Sequence, residues 1–308
     1  MKVLVLGGKG FIGRYVVRAL EARGCVVGIG TRRATAANEH NLVLHERTCA
    51  ADWHEVIAPF DVVVNCVGIL RERLRECYAD VHRRAPLAIA QACAAHGKRF
   101  IHVTALGLHG GASSGFLREK LAGEALIAQS GCAACVVRPS LLDGPDGFGS
   151  RWLRRVAQWP IHFIPADAHG ALAPLDVAEL GEAIAALCAC PASALPATVA
   201  FGGESRYTLA QYLKALRHQP SDPLTLRVPP WMVRVVAHGL DVLHLTPLSW
   251  GHVELMRRDN KPGADDQFAL RRWLGRSPRS VAVLCGSGGV QPLDGNNGSE
   301  STARQASG

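Results

Sequence analysis

The sequence predicts an α/β fold: a doubly wound parallel sheet with helices on both faces, and a smaller, mostly helical C-terminal cap. Three observations support this. Short apolar runs alternate with helical patterns through roughly the first 140 residues, the signature of βαβ units. One of those runs, DVVVNCV at Asp61–Val67, is dominated by β-branched residues, as a strand covered on both faces must be. A glycine-rich turn, Gly7-Gly8-Lys9-Gly10-Phe11-Ile12-Gly13, separates the first strand pattern from the first helix pattern, where a sheet of this class binds phosphate.

Taken in order, Lys2–Leu6 reads as a strand, Phe11–Arg23 as a helix and Cys25–Thr31 as a second strand, with Leu42–His45 as a possible third. Asp61–Val67 follows as a buried strand. Glu72–His96 is helical in pattern but interrupted by Pro86, which lacks the amide a helix interior needs. Arg99–Thr104 is a strand, Ser114–Ser130 a helix and Cys135–Arg138 a strand. Regular alternation ends at Arg138-Pro139. Residues 143–175, rich in Gly, Pro and Trp, read as irregular. Helices are expected near 176–189, 208–217, 231–244 and 248–258, with a short strand near 197–202. The expected division is a nucleotide-binding domain at 1–142, a cap at 143–285 and a disordered tail at 286–308, where Gly, Ser, Asn, Gln and Thr leave little apolar surface to offset ordering entropy. The apolar stretch Trp231–Leu245 reads as a core helix of the cap, with a docking face as the alternative.

Composition excludes several classes. Of 308 residues, 48% are hydrophobic and 19% charged, so the chain can bury a core and is not disordered as a whole. Its formal charge of +8 is not gathered into a basic run with interleaved aromatics, so no nucleic-acid partner is expected. Only six of the 34 basic residues are lysine, and arginine suits phosphate and carboxylate recognition. The longest uncharged stretch, Ala183–Gly203, is broken by Pro191 and Pro196, so no transmembrane helix is expected. The ten cysteines sit mostly in apolar runs, and no signal peptide precedes the glycine turn. A cytoplasmic location with reduced thiols follows. Cys132 and Cys135 have C-x-x-C spacing but precede a strand, not a helix, which argues against a redox pair. No metal-ligand spacing is found among the 13 histidines.

The glycine turn carries the sharpest chemistry. Gly7 permits a tight turn, Gly10 lets main chain approach a diphosphate, and Gly13 lets the helix pack close to the strand. The helix N-terminus then offers free amides and partial positive charge to phosphate through Phe11, Ile12 and Gly13. This is the pattern of a Rossmann-type dinucleotide site. The second strand ends Gly30-Thr31-Arg32-Arg33. Where NAD-selective sites carry Asp or Glu for the ribose, this chain has Thr31 and two arginines, which suit a 2′-phosphate. NADP(H) is therefore favoured, with NAD(H) as the alternative.

On GGKGFIG, VVVNCVGI at 62–69, FIHVTALG at 100–107, FLREK at 116–120, VVRPSLLDGPDG at 136–147 and PLDVAEL at 174–180, the chain resembles the extended, atypical short-chain dehydrogenase/reductases, a group that is epimerase/dehydratase-like. PLSWGHVELMRRDN at 247–260 is similar to the branch typified by the NAD(P)H-binding accessory subunit of respiratory complex I. The resemblance spans about residues 1–280. It implies that Val67 and Gly68 line the adenine side of the cofactor, that Thr104 occupies the place of the catalytic Ser/Thr, that Lys120 holds the nicotinamide ribose, and that Arg138, Pro139 and Ser140 lie beside the nicotinamide. One departure stands out. The family's Tyr-x-x-x-Lys reads here as Phe116-Leu117-Arg118-Glu119-Lys120. Positions 116 and 120 share a helix face, but phenylalanine has no proton to exchange. Ser113, Ser114, His109 and Tyr78 are the alternative donors near these loops, each with a surface or turn role as the plainer reading.

Two functions follow from the resemblance. The first is a cofactor-binding protein with little turnover, serving a respiratory or membrane-associated partner or quinone-linked metabolism, cytoplasmic or peripheral at the inner membrane. The second is an active NADPH-dependent oxidoreductase or epimerase acting on a carbonyl or sugar-nucleotide substrate through another proton donor.

Overall fold

The computed structural model describes residues 1–73, 75–218, 221–243 and 250–279. The chain runs β1 (Lys2–Leu6), α1 (Phe11–Ala22), β2 (Val26–Thr31), β3 (Glu39–Asn41), α2 (His54–Ile57), β4 (Val62–Asn65), α3 (Ala85–Ala95), β5 (Arg99–Val103), α4 (Gly115–Gln129) and β6 (Ala133–Pro139). It continues through β7 (Leu142–Asp143), α5 (Phe148–Ala157), β8 (Ile161–Pro165), β9 (Leu175–Asp176), α6 (Val177–Ala189), β10 (Thr198–Phe201), α7 (Leu209–Ala215), β11 (Leu224–Val228), α8 (Pro230–Leu243), α9 (Trp250–Met256) and α10 (Ala269–Leu274).

Seven parallel strands form one sheet in the order β10-β6-β5-β4-β1-β2-β3. The strand order reverses between β1 and β4, which places a ligand crevice outside the carboxyl ends of these strands. The central strands read as continuous apolar runs because both faces are covered. Val3, Val5, Val62 and Val64 face a core shared with α1 and α6, while Leu4, Leu6, Val63 and Phe100 face a second core with α3. Helix α1 presents Gly13, Val16, Val17 and Leu20 inward, a helical stripe at i, i+3, i+4 and i+7. A third core, including Leu153, Ile164, Leu172, Tyr207 and Tyr212, builds the cap.

Several expectations are corrected. The third strand is β3 at Glu39–Asn41, and Leu44–Glu46 beyond it is a 3₁₀ turn. The 72–96 stretch is not helical throughout: Arg73 and Glu76 form an isolated bridge, and Asp80–Arg84 is a π-helical segment running into α3. Pro86 lies at the start of α3, so its missing amide falls where the widened turn has already altered the hydrogen-bond ladder. Residues 143–175 contain α5 and β8. Gly147 and Gly149 mask a helix whose Leu153, Val156 and Ala157 fall on one buried face. Strand β11 and helix α10 were not expected. The regular alternation does not stop at 139, because β10 pairs with β6 and α6 packs beneath the sheet with α1. Residues 175–201 thus belong spatially with the sheet layer, although the division at 142 assigns them to the cap. Over its described side chains α8 is not a core helix: Trp231 and Val235 are 67% and 66% exposed, and its inner side meets α9 through Val233, Ala237, Trp250 and Val253. The expected tail at 286–308 lies outside the described residues.

Candidate functional site

The phosphate end is built from main chain. Gly7 has φ +74°, a conformation that favours glycine, and its amide donates to the Gly30 carbonyl at 2.9 Å. The Gly10 amide donates to the Gly7 carbonyl at 2.8 Å, closing the turn. A Cβ on Gly13 would overlap the Gly7 carbonyl, so α1 can start this close to β1 only with glycine there. Gly10 is the N-cap of α1 and supplies no capping side chain, and the first turn carries no acidic residue. Its orphan amides therefore suit an anion, and the turn fits a dinucleotide diphosphate. Lys9 does not contribute its charge there: its ammonium contacts Glu39 at 2.7 Å and Thr35 Oγ1 at 3.1 Å. That ammonium, with the Thr35 amide, holds the Glu39 carboxyl at about 2. Arg32 and Arg33 leave the end of β2 exposed, with Arg32 Nη1 3.6 Å from Glu76 Oε1.

The reactive end is a cavity of about 410 Å³. Phe11, Ile12, Val67, Gly68, Thr104, Phe116, Lys120 and Pro139 line it together. Gly7, Gly10, Gly13, Arg32 and Arg33 lie outside its lining, toward the phosphate turn and the end of β2. Each predicted residue comes from the carboxyl end of a strand or the helix beside it. Val67 and Gly68 follow β4, Thr104 follows β5, Pro139 ends β6, and Phe116 and Lys120 lie on α4.

Helix α4 starts under tight control. Ser114 caps it by accepting from the Leu117 amide at 3.2 Å. Glu254, on α9, accepts from the Ser113 and Ser114 amides at 2.6 and 2.9 Å. Burial pushes that carboxyl's pKa up, but these amide bonds outweigh it and the net shift is down. Trp250 Nε1 donates to Ser113 Oγ at 2.9 Å. Phe116 is 6% exposed, with its ring among Tyr78, His82 and His252 at centroid separations of 5.8, 5.4 and 5.8 Å. Lys120 Nζ lies 5.3 Å from the same ring centroid, a cation–π geometry.

Lys120 is buried, and loss of water lowers its pKa to about 8, with Glu124 opposing the shift. Glu124 is held by Arg138, whose Nε donates at 3.0 Å. Two buried histidines, His82 in the cavity wall and His102 on β5, have their pKa lowered, first by burial and then by the Lys120 charge: His82 is pushed well down, and His102 to about 3. His82 Nε2 donates to the Ile69 carbonyl at 3.0 Å, leaving its buried Nδ1 without a partner. Asn65 fixes the other ring through His102 Nδ1 at 3.2 Å while accepting from the Val67 amide at 3.0 Å. The Thr104 hydroxyl is also buried without a partner among the described residues.

The four alternative donors do not line the cavity. Tyr78 donates its hydroxyl to the Leu70 carbonyl, and Ser113 and Ser114 are occupied at the head of α4. His109 Nδ1 is buried without a partner, away from the lining. Sequence reasoning missed His82, His252 and Asn260, which do line it. The signal was faint, because each comes from a helix or loop with no recognisable spacing to Lys120. Cys132 and Cys135 pack into the cores on opposite faces of the sheet, which separates them as a redox pair.

A glycine turn at the switch point and a lysine-bearing helix beside the next strands define a nicotinamide-dinucleotide-binding α/β protein of the short-chain dehydrogenase/reductase type. The chain belongs to the NAD dependent epimerase/dehydratase family, whose model matches residues 3–181. It is 28% identical over 240 residues to the rat NADH dehydrogenase (ubiquinone) 1 alpha subcomplex subunit 9, mitochondrial, covering 72% of this chain and 63% of that protein. It is 24% identical over 233 residues to the ceramide reductase of Caulobacter vibrioides, covering 74% of this chain and 73% of that protein. Thermus thermophilus UDP-glucose 4-epimerase in complex with NAD superposes with TM-score 0.58 at 19% identity, over 78% of this chain and 93% of the epimerase. The structure of gox2253 superposes with TM-score 0.66 at 15% identity, over 92% of this chain and 95% of its own. These superpositions establish the shared fold. Among the described residues, no helix is long and apolar enough to cross a membrane.

Proposed function

We propose that this chain binds a nicotinamide dinucleotide, favouring NADP(H), and that Phe116 stands in the place of the proton-donating tyrosine, so that classical turnover is weak or absent. The Phe116 ring carries this reading: it walls the cavity 5.3 Å from Lys120 Nζ and presents no hydroxyl. A bound nicotinamide supplies hydride transfer at carbon. The protein must still supply or remove the proton on the substrate oxygen. Thr104 can hydrogen-bond that oxygen, and Lys120 can hold the ribose; the amides of Phe11, Ile12 and Gly13 receive the diphosphate, while Val67 and Gly68 flank the adenosine and Pro139 the nicotinamide. Loss of a positioned acid–base group costs about 10²–10⁴ in rate.

The test is calorimetry with NADPH and NADH separately, followed by Phe116→Tyr assayed with a carbonyl panel. The expected outcome is NADPH binding by both proteins and at least a hundredfold faster turnover by the variant, in line with the ~10²–10⁴ contribution of such a group. Equal turnover in the two proteins sinks the reading.

The binding role extends to a partner. We place the chain beside a respiratory or other membrane-associated assembly, or in quinone-linked metabolism, either cytoplasmic or peripheral at the inner membrane. The name of the rat relative and the exposed apolar side chains of α8 support this. A second reading, an active oxidoreductase or epimerase, is favoured by His252, which lines the cavity and stacks on Phe116, and by the reductase name of the Caulobacter relative.

A further inference from the structure

We propose that the cavity beyond Thr104 and Lys120 receives an extended apolar chain with one neutral polar head, such as a medium-chain ketone or secondary alcohol, and excludes sugar nucleotides. The proposal rests on the dinucleotide reading above, which places the reactive end beside Thr104 and Lys120.

The cap side of the cavity is walled by Leu106, Leu141, Leu172, Leu209, Leu255 and Met256. Its rim is apolar too: Phe148 and Leu70 line it and remain 55% and 41% exposed. Among the described lining residues, Lys120 is the one with a standing charge, and the resemblance commits it to the cofactor. A sugar nucleotide brings a diphosphate that needs cationic or amide partners, and hydroxyls that need one hydrogen bond each on burial. Two of the cap-side polar groups, Asn260 and Ser140, are engaged within the protein. Asn260 donates to the Leu106 carbonyl at 3.0 Å and accepts from the Leu141 amide at 2.7 Å. Ser140 donates its hydroxyl to the Ala173 carbonyl. Nearby arginines hold carboxylates: Arg154 binds Asp143 at 2.6 Å, and Arg257 binds Asp167 at 2.6 Å. Two atoms of lining residues, Thr104 Oγ1 and His82 Nδ1, are buried without a partner among the described residues and remain for the head of the ligand. The cavity of about 410 Å³ is shared with the nicotinamide end of the cofactor on this reading, so the cap side has room for a slender chain and not for a second nucleotide, and Met256 adds an unbranched side chain that adapts to a flexible chain.

The experiment is calorimetric titration of the full chain with octan-2-one, decan-2-one, dodecan-2-one and UDP-glucose, each with and without saturating NADPH. Ketone affinity is expected to rise about fourfold per added methylene, and UDP-glucose to give no heat. Leu255→Trp narrows the apolar end; it should weaken dodecan-2-one at least tenfold and leave NADPH binding unchanged. Should that variant fail to fold, the chain-length series on the native protein decides. Ketone affinity that does not change with length, or UDP-glucose binding tighter than dodecan-2-one, overturns the proposal. Absence of NADPH binding with the ketone series intact overturns the cofactor reading and leaves this one supported. NADPH binding with no ketone affinity does the reverse.

Discussion

The two ends of the crevice are made of different materials. At the phosphate end the recognition groups are main-chain amides, and side chains matter by their absence: Gly13 is required because any Cβ would strike the Gly7 carbonyl. At the reactive end the groups are side chains gathered from His82, Phe116, Lys120 and His252, with Tyr78 packed behind the Phe116 ring, and α9 pins the head of α4 through Glu254. The first site is local in sequence and tolerates no added bulk. The second is assembled from afar and can exchange its chemistry while keeping its shape. On the function proposed above, a proton donor can be absent at 116 while the cofactor seat stays intact.

That contrast is broken most forcefully at Gly13. Gly13→Val is expected to destabilise the chain by about 3 kcal/mol or more, because backbone on both sides must move, and to abolish dinucleotide binding. Urea unfolding and calorimetry read the two effects. A variant that binds NADPH normally would show that α1 does not need its close approach to β1.

At the reactive end the largest expected effect is electrostatic. Lys120 has its pKa lowered to about 8 by burial, so the folded state gives up its proton before the unfolded state does. Between pH 8 and the ordinary lysine value the unfolded chain binds more protons, so stability rises with pH through that window. Below pH 8 both states are charged and the burial penalty is fully present. Lys120→Met should remove the rise and add on the order of 2–3 kcal/mol at pH 7. Unfolding of both proteins from pH 7 to 10.5 checks this, and parallel stability curves would place Nζ in water.

These two positions also show what the sequence discloses. The sheet and the glycine turn were legible from local periodicity, whereas Thr104, Phe116 and Lys120 were singled out by resemblance to a family motif; the structure gathers all three around one cavity. The histidines around Lys120 were not legible, since His82 sits on a π-helical segment and His252 on a short helix far along the chain. The cap was read least well. Helix α5 hides behind glycines, and β8 pairs with β11 some sixty residues later, a contact no local pattern announces. Helix α8 looked like core because its residues are apolar, but hydrophobicity reports a need for cover and does not say what provides it.

A smaller effect is expected where the cap meets α4. Glu254→Ala removes the acceptor for the Ser113 and Ser114 amides, with an expected cost of about 2 kcal/mol for hydrogen bonds to a charged group at a helix start. Cofactor affinity should weaken less than ketone affinity, because the glycine turn is made by β1, α1 and the end of β2, with no bond to Glu254. Equal losses would mean that the two ends of the crevice are mechanically one unit.

The finest test falls on the exposed end of β2. Arg32→Ala with Arg33→Ala should lower NADPH affinity about tenfold, near the lower range for charge-assisted hydrogen bonds, and leave NADH affinity unchanged. The effect is small because the Arg32 side chain is 71% exposed and Glu76 lies 3.6 Å away as a competing partner. Added salt should erode the NADPH preference as it screens these exposed charges. Equal losses for both cofactors would assign the arginines to general attraction of anions, and the discrimination would then belong to Thr31 and the loop that follows it.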